Sequence, residues 1–174
     1  MTTLRPATVA DARAIAEVHV DGWRWGYRGL LPDEVIDGLD VDAREAQWVS
    51  GFTDRWQAGD ACFLAEDDAG RIVGFVACGP ASDEFAPPPA GAGEIYAIYV
   101  REDVRGTGVG RDLLGAAHRV LAANGFTHAV LWVFEANGGA RRFYETAGWR
   151  ADGVVGVHRF EGGERPVLRY VREG

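Results

Sequence analysis

The stretch V-R-E-D-V-R-G-T-G-V-G-R-D-L-L, Val100 to Leu114, decides the reading of this chain. Glycines alternate at Gly106, Gly108 and Gly110, with Thr107 and Val109 between them; Arg105 opens the run, Arg111 closes it, and an amphipathic segment follows at once. Glycine costs conformational entropy on folding, so three of them between two arginines exceed what a plain helix start requires. With side chains out of the way, successive backbone N–H groups can point into one hollow at a helix N-terminus. There the helix dipole adds about 0.3–1 kcal/mol for a negative ligand. The run asks for an anion, and a pyrophosphate fits it. A Walker phosphate loop is excluded, because it needs a lysine after its last glycine and all 18 basic residues here are arginine. A dinucleotide fingerprint needs G-x-G-x-x-G tight against a strand. Here G-x-G-x-G lies mid-chain and is set off from its strand by Arg101 to Val104, and only Glu135, after the next strand, is what such a fold would want.

Working outward, Glu94 to Val100 reads as the strand before the run, and Gly108 to Asn124 as the helix after it. That helix carries Val109, Leu113, Ala117 and Leu121 on one face and is closed by Asn124-Gly125. Next come a strand over His128 to Phe134, a helix over Gly138 to Thr146, and two strands from Gly148 onward that turn at Glu161 to Glu164. Upstream, Cys62 to Glu66 and Arg71 to Gly79 form a hairpin, followed by a proline- and glycine-rich loop, S-D-E-F-A-P-P-P-A-G-A-G. The opening third is helical after a short strand at Thr3 to Pro6. A capped helix runs to about Trp25, a short one spans Pro32 to Leu39, and another spans Asp42 to about Trp56.

Composition narrows the function. At 174 residues the chain fits one domain, and a chain of this size hides roughly 70% of its unfolded surface. No apolar run approaches the roughly 20 residues that span a bilayer, and M-T-T-L-R-P-A-T has no apolar signal core, so a cytoplasmic protein with no membrane partner is expected. The formal charge of −8 argues against a nucleic-acid partner and for a cationic small substrate. Cys62 and Cys78 lie in apolar runs and the four histidines are scattered, so no metal is expected.

R-G-T-G-V-G resembles the Q/R-x-x-G-x-G/A signature of the GCN5-related N-acetyltransferase (GNAT) superfamily, which binds the pyrophosphate of acetyl-coenzyme A. The likeness extends through the strand Glu94 to Val100, the strand Leu131 to Phe134, and N-G-G-A-R-R-F-Y-E-T-A-G-W, Asn137 to Trp149. It implies a single N-acetyltransferase domain over residues 1–174, of α/β class. Its central twisted sheet would be mixed, mostly antiparallel, of about six or seven strands, with helices on both faces. Acetyl-coenzyme A would be the cosubstrate, held by Arg105 to Arg111, by the backbone of Ile98, Tyr99 and Val100, and by Asn137, Ala140, Phe143 and Tyr144.

Asn137 and Tyr144 are seven residues apart, two helical turns, so both can face one groove. Asn137 is equally well explained as a helix cap. The resemblance implies that Tyr144 protonates the departing thiolate. Period-two alternation places Glu94 on one strand face with Tyr96, Ile98 and Val100, where a carboxylate could take the proton of an incoming amine; an exposed strand-start residue is the equal alternative. Tyr96 and Tyr99 are near enough to orient substrate. The resemblance also places the acceptor wall at Asp21 to Glu34. Trp25, Tyr27 and Arg28 are expected to line it, with Asp33 or Glu34 attracting a cation. The function so implied is acetyl transfer to a primary amine of a small molecule by direct attack in a ternary complex. A protein N-terminal or lysine acetyltransferase, and a non-catalytic acyl-coenzyme A sensor, are the alternatives; homodimerisation stays open.

Overall fold

The computed structural model of the chain describes residues 1–173, residue 55 by its backbone alone. Its elements are β1 (Thr3–Pro6), α1 (Ala12–Gly26), α2 (Asp33–Asp37), α3 (Val41–Ser50), β2 (Ala61–Glu66), β3 (Ile72–Pro80) and β4 (Ala92–Val100). Then follow α4 (Val109–Ala123), β5 (His128–Phe134), α5 (Gly138–Thr146), β6 (Arg150–Phe160) and β7 (Gly163–Glu173). The seven strands form one sheet in the order β1-β2-β3-β4-β5-β7-β6. Every neighbouring pair is antiparallel except β4 and β5, which α4 joins as a parallel crossover. No helix among the described residues is long and apolar enough to cross a membrane.

The two largest cores sandwich the sheet. On one face, Leu113, Leu114, Ala117 and Leu121 of α4 bury against Val76, Cys78, Ile95 and Leu131, with Phe143 and Tyr144 of α5 packed at the margin. On the other, Ile15 and Val18 of α1 bury against Leu64, Phe75 and Ala77, with Trp48 of α3 alongside. Local chemistry starts and stops the helices. Asp40 caps α3 by accepting from the Ala43 N–H at 2.7 Å, and Asn137 caps α5 by accepting from Ala140 at 3.1 Å. The third helix is shorter than its periodicity predicts. It ends at Ser50 and passes through one wide π turn, Gly51–Arg55, which lets the Trp56 ring fold back against Phe52 at 4.6 Å.

Two irregularities of β4 position everything that follows. Its ladder with β5 covers only Ala92 to Glu94 against His128 to Val130, so from Ile95 onward the edge that faces β5 has no strand partner. Against β3 the register shifts between Ala77 and Cys78: Cys78 pairs Ile95 while Ala77 pairs Ala97, leaving Tyr96 as a bulge. A bulge inserts one residue and reverses the alternation beyond it. Ile95 and Ile98 therefore both face α4, whereas Ala97 and Tyr99 face α1. Glu94, beside Ile95 in the regular part of the strand, shares the α1 face with Tyr99. The predicted common face of Glu94, Tyr96, Ile98 and Val100 is thus corrected: Ile98 and Val100 do share the α4 side, and Glu94 lies on the other.

Candidate active site

The glycine run forms the entrance to α4. Gly106 and Gly108 have φ of 75° and 100°, the left-handed region that side chains avoid, and Gly108 is the N-cap. The Thr107 hydroxyl donates to the Val104 carbonyl at 2.6 Å and pins the turn. The N–H groups of Gly108, Val109, Gly110 and Arg111 find no acceptor among the described residues, so a set of donors converges at a helix N-terminus. Val109 contributes only backbone, since its side chain is buried in the core. Gly110 stands where α4 meets α5: a Cβ there would lie 3.4 Å from Phe143 Cζ, ordinary contact distance. Arg111 stays exposed at the rim, and the Arg105 guanidinium lies over the Trp25 ring, 3.3 Å from its centroid.

Where β4 and β5 diverge, three tyrosines meet. Tyr27 and Tyr99 share a hydrogen bond at 2.9 Å, and Tyr144 lies within electrostatic reach of both. Burial pushes all three phenols up, Tyr99 to about 12, with Tyr27 adding to the rise at Tyr144. They therefore hold their protons at neutral pH. Tyr144 packs edge-on against Trp149 and beside Tyr170, yet its hydroxyl has no hydrogen-bond partner among the described residues and is not sealed from solvent. Asn137 acts as the α5 cap, its side-chain oxygen committed to Ala140.

Glu94 is 5% exposed. Both the backbone N–H and the hydroxyl of Ser82 donate to its Oε2, at 2.8 and 3.0 Å. Burial, with Glu84 nearby, still raises its pKa despite those bonds. It is not an exposed strand-start residue. Tyr96 is committed elsewhere, its hydroxyl 2.7 Å from the Pro80 carbonyl and 2.9 Å from Asp60.

The Asp21 to Glu34 segment divides. Tyr27 joins the site, stacked edge-on to Trp23 and Phe134, both at 5.0 Å. Trp25 points instead to the glycine run, beside a cavity of about 580 Å³ lined by Asp21, Arg24, Trp25, Val100, Arg101 and Asp103. Arg28 pairs with Asp33 at 3.2 Å and Asp37 at 2.9 Å, which fastens the entry to α2, and Glu34 is exposed on that helix. These two residues are therefore not brought to the tyrosines. Three others join the aromatic cluster around Trp23 and Tyr99, and no motif announced them. Arg44 of α3 lies 5.5 Å above the Trp23 ring. His19, buried and held neutral with its pKa near 3 by desolvation, stacks 4.8 Å from Tyr99. His158 of β6 sits among Trp23, Phe85, Phe134 and Phe160. Among the described residues no group of three His, Cys, Asp or Glu side chains is placed to hold a metal ion.

An anion hollow at the helix joining a splayed parallel strand pair, with a phenol unpaired among the described residues at the divergence, defines the class: an α/β protein that can hold a phosphate-bearing ligand beside a proton donor. The model of the acetyltransferase (GNAT) family matches residues 27–149, and the chain belongs to that family. It is 34% identical over 137 residues to the uncharacterized N-acetyltransferase YuaI of Bacillus subtilis, covering 79% of this chain and 74% of that one. It is 33% identical over 143 residues to a mycothiol acetyltransferase of Saccharomonospora viridis, covering 80% of this chain but 42% of that protein. Its fold matches the PaiA N-acetyltransferase of Thermoplasma acidophilum, solved in complex with coenzyme A, at a TM-score of 0.73 and 17% identity over 100% of this chain and 99% of that one.

Proposed function

We propose that the protein transfers an acetyl group from acetyl-coenzyme A to the primary amine of a small molecule, by direct attack within a ternary complex. The observation that carries this reading is the Tyr144 hydroxyl, unpaired and protonated, at the point where β4 leaves β5. The free N–H groups of Gly108 to Arg111 take the pyrophosphate, with Arg105 and Arg111 at the rim. The unpaired edge of β4 around Ile98 to Val100 supplies backbone groups to the pantetheine arm and a donor to the thioester carbonyl. Tyr144 delivers its proton to the departing sulfur.

The amine must arrive without its proton. Glu94 is the proposed base: its raised pKa makes it a stronger proton acceptor than an ordinary carboxylate, and Ser82 fixes its orientation. Direct attack is favoured because both thiols are unfit as nucleophiles. Cys62 and Cys78 are buried, and burial pushes both upward, Cys78 to about 12. Free-thiol release across a panel of polyamines, amino acids, amino-acid amides, aminoglycosides and peptide N-termini tests the activity. Initial rates in both substrates test the route. Intersecting double-reciprocal lines are expected, parallel lines would overturn the ternary complex, and preference for peptides would overturn the small acceptor.

A further inference from the structure

An arginine buried without an acid beside it is costly, and the most deeply buried arginines of this chain have one. Arg169, with its side chain 10% exposed, pairs with Asp152 at 2.8 Å; Arg101, at 20%, pairs with Asp21 and Glu17; Arg5 reaches Asp11 and Glu66. Arg44 has no such acid; Arg172 of β7 also has none among the described residues, but only Arg44 lies against the aromatic rings that lead to the tyrosines. It is half-buried on α3 and forms no hydrogen bond through its guanidinium and no ion pair, in a chain that carries 26 acidic residues. Desolvation lowers its pKa, and no carboxylate is near enough to oppose that; only the Tyr99 phenol raises it. Its charge is felt at His19 and at Tyr99.

The position of Arg44 matters as much as its isolation. The guanidinium lies over Trp23, Trp23 packs on Tyr27, and the Tyr27 hydroxyl bonds Tyr99 beside Tyr144. Arg44 therefore stands on the acceptor side of the sheet, one aromatic ring from the tyrosine cluster, with its five N–H donors unused. Backing by an indole face orients such a fork without satisfying those donors. We infer that Arg44 is the anchor for a carboxylate on the acceptor, so that the amine acetylated belongs to an amino acid or an amino-acid-like compound. This rests on the small-amine reading above and sharpens it. An unpaired cation at that place also works against a polyamine, and it leaves a peptide N-terminus, whose first carboxyl group is an amide, without a partner.

The test compares L-amino acids with their own carboxamides, and spermidine with both, by thiol release from acetyl-coenzyme A in the wild type, Arg44→Lys and Arg44→Gln. A charge-assisted pair in a half-buried site should favour the free acid in kcat/KM by about tenfold or more. Arg44→Gln should abolish that preference and Arg44→Lys retain part of it, with acetyl-coenzyme A affinity unmoved in both. Amides or spermidine preferred by the wild type would overturn the carboxylate anchor while leaving acetyl transfer to a small amine intact. An unaltered acid-to-amide ratio in Arg44→Gln would do the same. If no member of the panel is acetylated, the activity reading falls. The anchor is then judged by titrating hippurate against indole fluorescence in the coenzyme A-loaded protein, where a response absent from Arg44→Gln supports it and an equal or absent response overturns it.

Discussion

Replacing Gly108 by valine separates the anion hollow from mere helix capping. Gly108 has φ of 100°, and any L side chain held there is strained by about 1–3 kcal/mol. Gly125, just past the other end of α4, has φ of 85°, and a Cβ at either glycine would meet nothing within 4 Å, so Gly125→Val carries the same strain away from the hollow. For a chain of this length each kcal/mol lowers Tm by about 2–4 °C, so both variants should lose about 2–12 °C. Only Gly108→Val should lose coenzyme. Relief of its strain rotates the turn and re-aims the N–H groups of Gly108 and Val109. At about 1.5–3 kcal/mol for each bond to a charged group, two lost bonds amount to about 3–6 kcal/mol. That corresponds to a rise in Kd of about 10²- to 10⁴-fold. Calorimetric titration with acetyl-coenzyme A, beside thermal melts of both variants, reads the two effects separately. Matching Tm losses with unchanged affinity in Gly108→Val would refute the reasoning, since the run would then be a helix start and nothing more.

Tyr144→Phe keeps the ring against Trp149 and removes the proton donor. It should lower kcat by about 10²- to 10⁴-fold with little change in coenzyme Kd, and full turnover would make Tyr144 a packing residue. Glu94 should set the acid limb of the kcat/KM profile above the ordinary carboxylate range, because its pKa is raised by burial. Glu94→Gln should erase that limb, and a profile unchanged in the variant would assign the base elsewhere. The same shift has a sign for stability. A carboxyl whose folded pKa is raised binds its proton more tightly when folded, so its contribution falls as pH rises from the unfolded value toward the folded one. Urea melts of Glu94→Gln should accordingly gain on the wild type from pH 4 to pH 7. Trp25→Ala should weaken acetyl-coenzyme A binding by about three- to thirtyfold through loss of the Arg105 stack, leaving the acceptor KM alone, whereas the opposite pattern would return Trp25 to the acceptor wall.

What the sequence discloses is what local chemistry enforces. The run from Arg105 to Arg111, the face of α4 and the Asn137 cap are written within a few residues of where they act, and each is found in place. The bulge at Tyr96 is not written that way. I-Y-A-I-Y-V is apolar on both sides of the strand, because α4 covers one face and α1 the other, so a one-residue slip leaves no trace in the hydrophobic pattern. That slip sends Glu94 to the face of Tyr99 and frees Tyr96 to bond Asp60. Arg44 and His158 were illegible for a different reason. They come from α3 and β6, and nothing but tertiary packing brings either to Trp23.

The end of α1 shows why one segment could not serve one purpose. Successive helical residues turn through about 100°, so Trp23, Trp25 and Tyr27 cannot all face the sheet. Trp23 and Tyr27, four apart, stack on one another and enter the tyrosine cluster; Trp25, between them, is 44% exposed and reaches across to Arg105. A single turn of helix thereby touches both the glycine run and the acceptor side. In the proposed complex an acceptor against Trp23 and Tyr27 would press on the same turn that carries Trp25 to Arg105. On the proposed reading both substrates contact this one helix, so coupling between their affinities is the expected outcome. Linkage requires the effect to be reciprocal, so any change in coenzyme Kd on adding acceptor must equal the change in acceptor Kd on adding coenzyme A. In Trp25→Ala that coupling should shrink toward unity in both directions, and a coupling that survives intact would mean that it runs through β4 instead.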